Sequence, residues 1–163
     1  MCQQFGERCV FLPRRLDWWV LPGLGCICRP ISPAFAIKRC LDESKLTIGE
    51  MKFIEINEAF ACVPLVSAKL LSNGRFLRSD YGEMVKEASA QVILDNDENA
   101  YQGLKKRLNV NGSAIAIGHP NTASGSRLMM TAAYNLKENG GGYAACAICG
   151  GLTQGAGCII WVE

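Results

Sequence analysis

One histidine and nine cysteines are the reactive side chains of this 163-residue chain. His119 follows Gly118, precedes Pro120 and closes a run of small and apolar residues from Asn111 to Ile117. Small residues let backbone and ligand come close. A neutral imidazole takes or shares a proton near neutral pH, so the position suits a general base or an oxyanion donor. A structural histidine bonded within its loop fits the same residues. Cys149 ends an apolar stretch and runs into Gly150-Gly151-Leu152-Thr153-Gln154-Gly155. A thiol at a strand end, beside unobstructed glycine N–H groups, suits proton transfer next to an oxyanion hole. A small core cysteine is the alternative.

Cys146 and Cys149 form a Cys-x-x-Cys. On a strand, positions three apart face opposite ways, which argues against a redox dithiol. A zinc site would need two further ligands, and Cys26 with Cys28 is the comparable pair, far off in sequence. Asn57-Glu58 follows a predicted strand and precedes a predicted helix. Polar groups at such strand ends carry chemistry in α/β enzymes, although an N-cap role for Asn57 fits equally.

These residues need elements to hold them. Helical spacing of Ala34, Ile37 and Leu41 behind Pro33 predicts a helix over 34–44. Thr47 to Glu50 reads as a turn and Phe53 to Ile56 as a strand. A helix follows over 59–71, with Pro64 either in its first turn or kinking it. Residues 72–79 read as a polar connector. An amphipathic helix is predicted over 80–94, then an acidic cap at 95–98 and a short helix reaching Arg107. Residues 110–117 read as a buried loop or strand. A long helix spans 122–139 and is stopped by Gly140-Gly141-Gly142. Two buried strands, 143–148 and 157–162, close the chain. The alternation predicts an α/β layered domain.

Residues 1–29 differ in character. Four cysteines, Pro13, Pro22, Gly23 and Gly25 interrupt any period, and this segment reads as an irregular leader in which Trp18-Trp19-Val20 could form a short strand. The formal charge is +2, from 17 basic and 15 acidic residues, with no basic block, so nucleic-acid binding has no electrostatic support. Apolar stretches fall short of a membrane span. An odd cysteine count without a signal-peptide pattern favours free thiols in a reducing cytosol, hence a cytoplasmic location.

Three segments, in order, resemble the signatures of thiolases. They are Asn57-Glu58-Ala59-Phe60-Ala61; then Asn109-Val110-Asn111-Gly112 through Gly118-His119-Pro120, Ala123-Ser124-Gly125 and Arg127; then Cys149, Gly151, Gln154 and Gly155. The resemblance covers residues 30–163, with a longer connector at 72–108. It implies the C-terminal half of the thiolase-like α/β/α/β/α sandwich, a mixed sheet covered by helices. It also implies acyl transfer between coenzyme A thioesters, with acetyl-CoA condensing to acetoacetyl-CoA or a 3-oxoacyl-CoA cleaved, and no metal or permanently bound cofactor.

By that resemblance His119 activates a nucleophilic cysteine and then helps hold the thioester oxygen. Asn57 fixes a water in the same oxyanion hole, Cys149 moves the α-carbon proton, and the Gly151 N–H belongs to a second hole. Glu58 positions its neighbours. The family's nucleophile motif has no match here, nor has the loop domain that grips coenzyme A. The expected partner is a thiolase N-terminal half or a homo-oligomer. An inactive, truncated fragment that only binds a partner is the alternative. A decarboxylating condensing enzyme ranks last, because those usually carry a second histidine in place of Cys149. Thr122 and Thr153 replace glycines usual in the family, and β-branched residues resist positive φ.

Overall fold

The computed structural model describes residues 10–12, 31–80, 83, 97–150 and 154–163. One mixed sheet of four strands organises them, in the order β1-β4-β3-β2. The strands are β1 (Val10–Leu12), β2 (Met51–Ile56), β3 (Gly142–Cys149) and β4 (Gly155–Val162). β2 runs parallel to β3, whereas β4 is antiparallel to both β3 and β1.

Helices cover both faces. On one side lie α1 (Ser32–Ser44), α2 (Cys62–Ser72), α3 (Gly74–Arg78) and α4 (Glu98–Lys105). A one-turn helix α5 (Ala114–Ile117) precedes α6 (Ser124–Glu138), which packs on the other side. The period-two alternation of β3 makes this possible. Ala145 and Ala147 enter the first core with Ile54, Ile56 and Ile159, while Ala144 and Cys146 enter the second with Leu128, Leu136 and Ile160. A register shift between Met51 and Phe53 turns Met51 to the first core and Phe53 to the second.

Local chemistry sets the element ends. Pro33 lies in the first turn of α1, where a missing N–H costs nothing. Lys45, at φ 58°, ends that helix. Thr47 and Glu50 form a reciprocal capping box on a 3₁₀ turn, and the bonds from Thr47 draw the Glu50 carboxyl below its ordinary range. Pro64 falls in the first turn of α2, the first of its two expected places. Small residues bring α1 onto β4: a Cβ on Gly155 would lie 2.4 Å from the Ser32 carbonyl oxygen.

Among the described residues the predicted helices and strands recur with four differences. Residues 72–79 are not a connector throughout. Asn73 Oδ1 accepts from the amides of Arg75 and Phe76, starting α3, and Phe76 is fully buried edge-on against Phe35 at 5.4 Å. One apolar anchor among polar residues hid this helix. Residues 110–117 are buried only at Ser113 and Ala114, whereas Val110, Ile115 and Ile117 are exposed, the last two by more than 60%. Their apolar character serves a surface of this chain, not its core.

Asn57 is not an N-cap, because α2 starts at Cys62 behind Ala61. The segment read as irregular contributes a strand, β1, whose Val10, Phe11 and Leu12 pair with Trp161, Ile160 and Ile159. The strand considered at Trp18-Trp19-Val20 lies outside the described residues. So does the helix over 80–94 apart from Asp80 and Glu83, the Glu83 amide donating to Asp80 Oδ1.

Candidate active site

Because β2 and β3 are parallel neighbours, their C-terminal ends open on the same edge of the sheet. Asn57 follows β2 directly, and its amide donates to the Ala147 carbonyl at 3.0 Å. It is 1% exposed, and its side-chain Oδ1 has no hydrogen-bond partner among the described residues. A buried amide oxygen without a partner is uncommon and asks for a water or ligand group. Cys149 ends β3 two residues beyond Ala147, as a half-buried thiol outside any disulfide. Asn57 and Cys149 therefore share one strand-end edge.

Glu58 ties the histidine segment to that edge. Its Oε2 accepts from the Ile115 amide at 2.9 Å, and its Oε1 accepts from Asn109 Nδ2 at 3.3 Å. Asn109 in turn pairs with β2 as a strand would: Nδ2 donates to the Ile56 carbonyl and Oδ1 accepts from the Ile56 amide, both at 2.8 Å. The backbone of Arg107 and Asn109 also bonds Ile54 on this side of β2.

Four residues beyond Ile115 stands His119, exposed, with Nδ1 2.7 Å from Ser124 Oγ. Ser124 is fully buried at the start of α6. One turn on, Arg127 Nη1 donates to the Gly118 carbonyl at 2.7 Å. Gly118 itself has φ 84°, a conformation that favours glycine. The exposed segment from Ile115 to His119 is thus held by Glu58 at one end and by α6 at the other.

Charge around the edge is set by burial. Glu55, on β2, is 1% exposed with Oε1 unpartnered, and desolvation, helped by the Glu58 charge, pushes its pKa up to about 7. Cys146 and Cys158 face each other across β3 and β4. The hydrogen bond between them and burial raise Cys146, and the same bond lowers Cys158. Cys146 belongs to the α6 face, whereas Cys149 packs against the opposite core. The two cysteines of the Cys-x-x-Cys therefore point apart, as strand geometry required. Among the described residues no group of three or more His, Cys, Asp or Glu is placed to hold a metal ion.

Of the residues singled out in the sequence, Asn57 and Cys149 come together on one edge, Glu58 tethers the His119 segment to it, and Gly151 lies outside the described residues. On either side of it, the Gly150 amide donates to the Gln154 carbonyl at 2.8 Å. The grip of Ser124 on His119 and the strand-like side-chain pairing of Asn109 carry no signal in residue type alone. Both depend on a turn bringing side chains five or more residues apart into register.

Comparison with known proteins gives this arrangement its context. The family described as "Thiolase, C-terminal domain" matches residues 27–162, and the chain belongs to it. The chain is 39% identical over 129 residues to a beta-ketoadipyl-CoA thiolase of Acinetobacter baylyi, covering 79% of this chain and 25% of that protein. To a 3-ketoacyl-CoA thiolase of Escherichia coli it is 32% identical over 133 residues, covering 82% and 28%. Human mitochondrial 3-ketoacyl-CoA thiolase in complex with CoA superposes with a TM-score of 0.59 at 32% identity, over 83% of this chain and 27% of that one. The chain thus spans about a quarter of the length of these relatives. The thiolase-like fold expected from the sequence is the fold observed.

Proposed function

We propose that residues 30–163 supply the proton-transfer and oxyanion half of a thiolase-type site that moves acyl groups between coenzyme A thioesters, completed by a segment bearing a nucleophilic cysteine. The observation that carries this reading is the buried, unpartnered Oδ1 of Asn57 on the same strand-end edge as the Cys149 thiol, with the His119 segment moored to it by Glu58. Asn57 Oδ1 is an acceptor for a water that, with His119, donates to a thioester oxygen. Cys149 takes the α-carbon proton in condensation and returns it in cleavage. The Gly151 N–H serves the second oxyanion position. Charge developing on a thioester oxygen is the largest barrier in such chemistry, so donors fixed beforehand matter most. The coenzyme A complex of the human relative and the names of the bacterial relatives support the substrate class. On this reading the chain works on fatty-acyl or acetyl intermediates in a reducing cytoplasm.

The exposed Phe60, Ile115 and Ile117 favour a site completed by another polypeptide segment over a fragment that functions alone. The test is thiolysis of acetoacetyl-CoA by the purified chain, with and without an added thiolase N-terminal half. The expected result is no turnover alone and turnover with the added half. In that reconstituted system Cys149→Ala abolishes condensation but leaves the partner's cysteine able to be acylated. Turnover by the chain alone, or normal condensation by the variant, refutes the assignment.

A further inference from the structure

The hydrogen bond between His119 Nδ1 and Ser124 Oγ has a direction, and the surroundings of Ser124 decide it. The two atoms are 2.7 Å apart. Ser124 has no exposed surface, and among the described residues no other group takes its hydroxyl proton. Were Nδ1–H the donor, the hydroxyl hydrogen would be left buried and unbonded. A buried donor without an acceptor is the expensive side of hydrogen-bond energetics, whereas a hydroxyl oxygen with an unused lone pair costs little. We propose that Ser124 gives its hydroxyl proton to Nδ1, so that neutral His119 keeps its own proton on Nε2 and meets a ligand as a hydrogen-bond donor.

The rest of the segment supports a fixed ring. Arg127, three residues along the same helix, holds the carbonyl of Gly118, and Glu58 holds the amide of Ile115. The histidine is exposed, so its second nitrogen is open to whatever occupies the edge. A tautomer fixed in this way is set by the partner of the opposite nitrogen. Ser124 is therefore a positioning residue, acting through His119.

The consequence rests on the function proposed above. The resting ring is already the form needed to donate to a thioester oxygen. Accepting a thiol proton at Nε2 first requires the ring proton to move to Nδ1, with the Ser124 hydroxyl turning to accept it. One serine thus separates the two duties of one imidazole.

His119 is the only histidine, so long-range nitrogen–proton correlation on the ¹⁵N-labelled full chain reads its tautomer without assignment ambiguity. The expected wild-type spectrum, above the imidazole titration, shows a pyrrole-type Nε2 and a hydrogen-bonded pyridine-type Nδ1. In Ser124→Ala, with a retained amide spectrum, the Nδ1–H population rises about fivefold, the weight of one neutral hydrogen bond. A wild-type ring protonated at Nδ1 overturns the proposal whether or not the variant folds. An unchanged ratio in a folded Ser124→Ala chain removes Ser124 from the role. The measurement needs no turnover, so its failure is distinct from failure of the acyl-transfer reading.

Discussion

Glu55 makes the stability of this chain depend on pH in a direction opposite to that of most carboxylates. The perturbation is Glu55→Gln. In the folded chain burial pushes the carboxyl pKa from an ordinary 4.5 up to about 7. The folded state therefore binds the proton more tightly than the unfolded state. Stability from this group is fully present below the unfolded value and is lost as pH rises through the folded one. A gap of that size corresponds to about 3 kcal/mol, of which about 2.5 kcal/mol falls between about pH 5 and about pH 8. The charged form has little to offset its burial: among the described residues Oε1 has no partner, and the Glu58 charge acting on it is of the same sign. Glutamine keeps the shape and stays neutral. Urea denaturation followed by tryptophan fluorescence at the two pH values should show the wild type losing stability towards alkaline pH. Glu55→Gln should cancel about 2.5 kcal/mol of that loss and be the more stable protein at about pH 8. An identical pH slope in both proteins would refute the reasoning, since it would mean that Glu55 is ionised without penalty.

Three further outcomes follow from geometry. Asn109→Ala removes both side-chain bonds to the buried Ile56 backbone and leaves a non-glycine φ of 45° without its compensation, so denaturant titration should show a loss of about 3 kcal/mol. Gly155→Ala drives a methyl group to 2.4 Å from the Ser32 carbonyl oxygen, and calorimetry should record a destabilisation of at least about 2 kcal/mol. Alkylation mapped by mass spectrometry under native conditions should modify exposed Cys62 before half-buried Cys149, with buried Cys146 and Cys158 last. Early modification of Cys146 would contradict its place in the α6-facing core.

Much of this architecture can be read from the sequence wherever apolar spacing and end signals agree. Pro33 and the Ala34, Ile37, Leu41 spacing mark α1, and the triple glycine after Asn139 marks the end of α6. The short helix α3 escapes such reading because Asn73 and Phe76 do its work among residues that look like linker. The 110–117 segment misleads for the opposite reason. Its apolar residues suggest a core position, yet Val110, Ile115 and Ile117 are exposed and only Ala114 is buried. At the site, residue type alone distinguishes His119, Cys149 and Asn57. What it does not reveal is the scaffolding: Ser124 under the imidazole, Asn109 paired with a strand, and Glu58 joining two distant loops. Those are pairwise meetings across turns, and composition holds no trace of them.

The two sides of β3 are assembled from very different distances along the chain. Towards β4 the paired strand follows closely in sequence, Cys149 standing against Gly155. Towards β2 the paired residues stand about ninety positions apart, Ile54 against Ala145. A hairpin closes in microseconds, while a pairing across so long a loop waits on a large entropic barrier. As the chain folds, Cys149 gains its strand early, and Asn57 reaches its place beside it only when the long-range ladder between β2 and β3 zips. An interrupted folding reaction would leave the thiol presented on a finished hairpin with its polar neighbours still elsewhere. Conditions that slow the β2–β3 zipping would therefore delay the meeting of Asn57 and Cys149 well after β3 and β4 have paired.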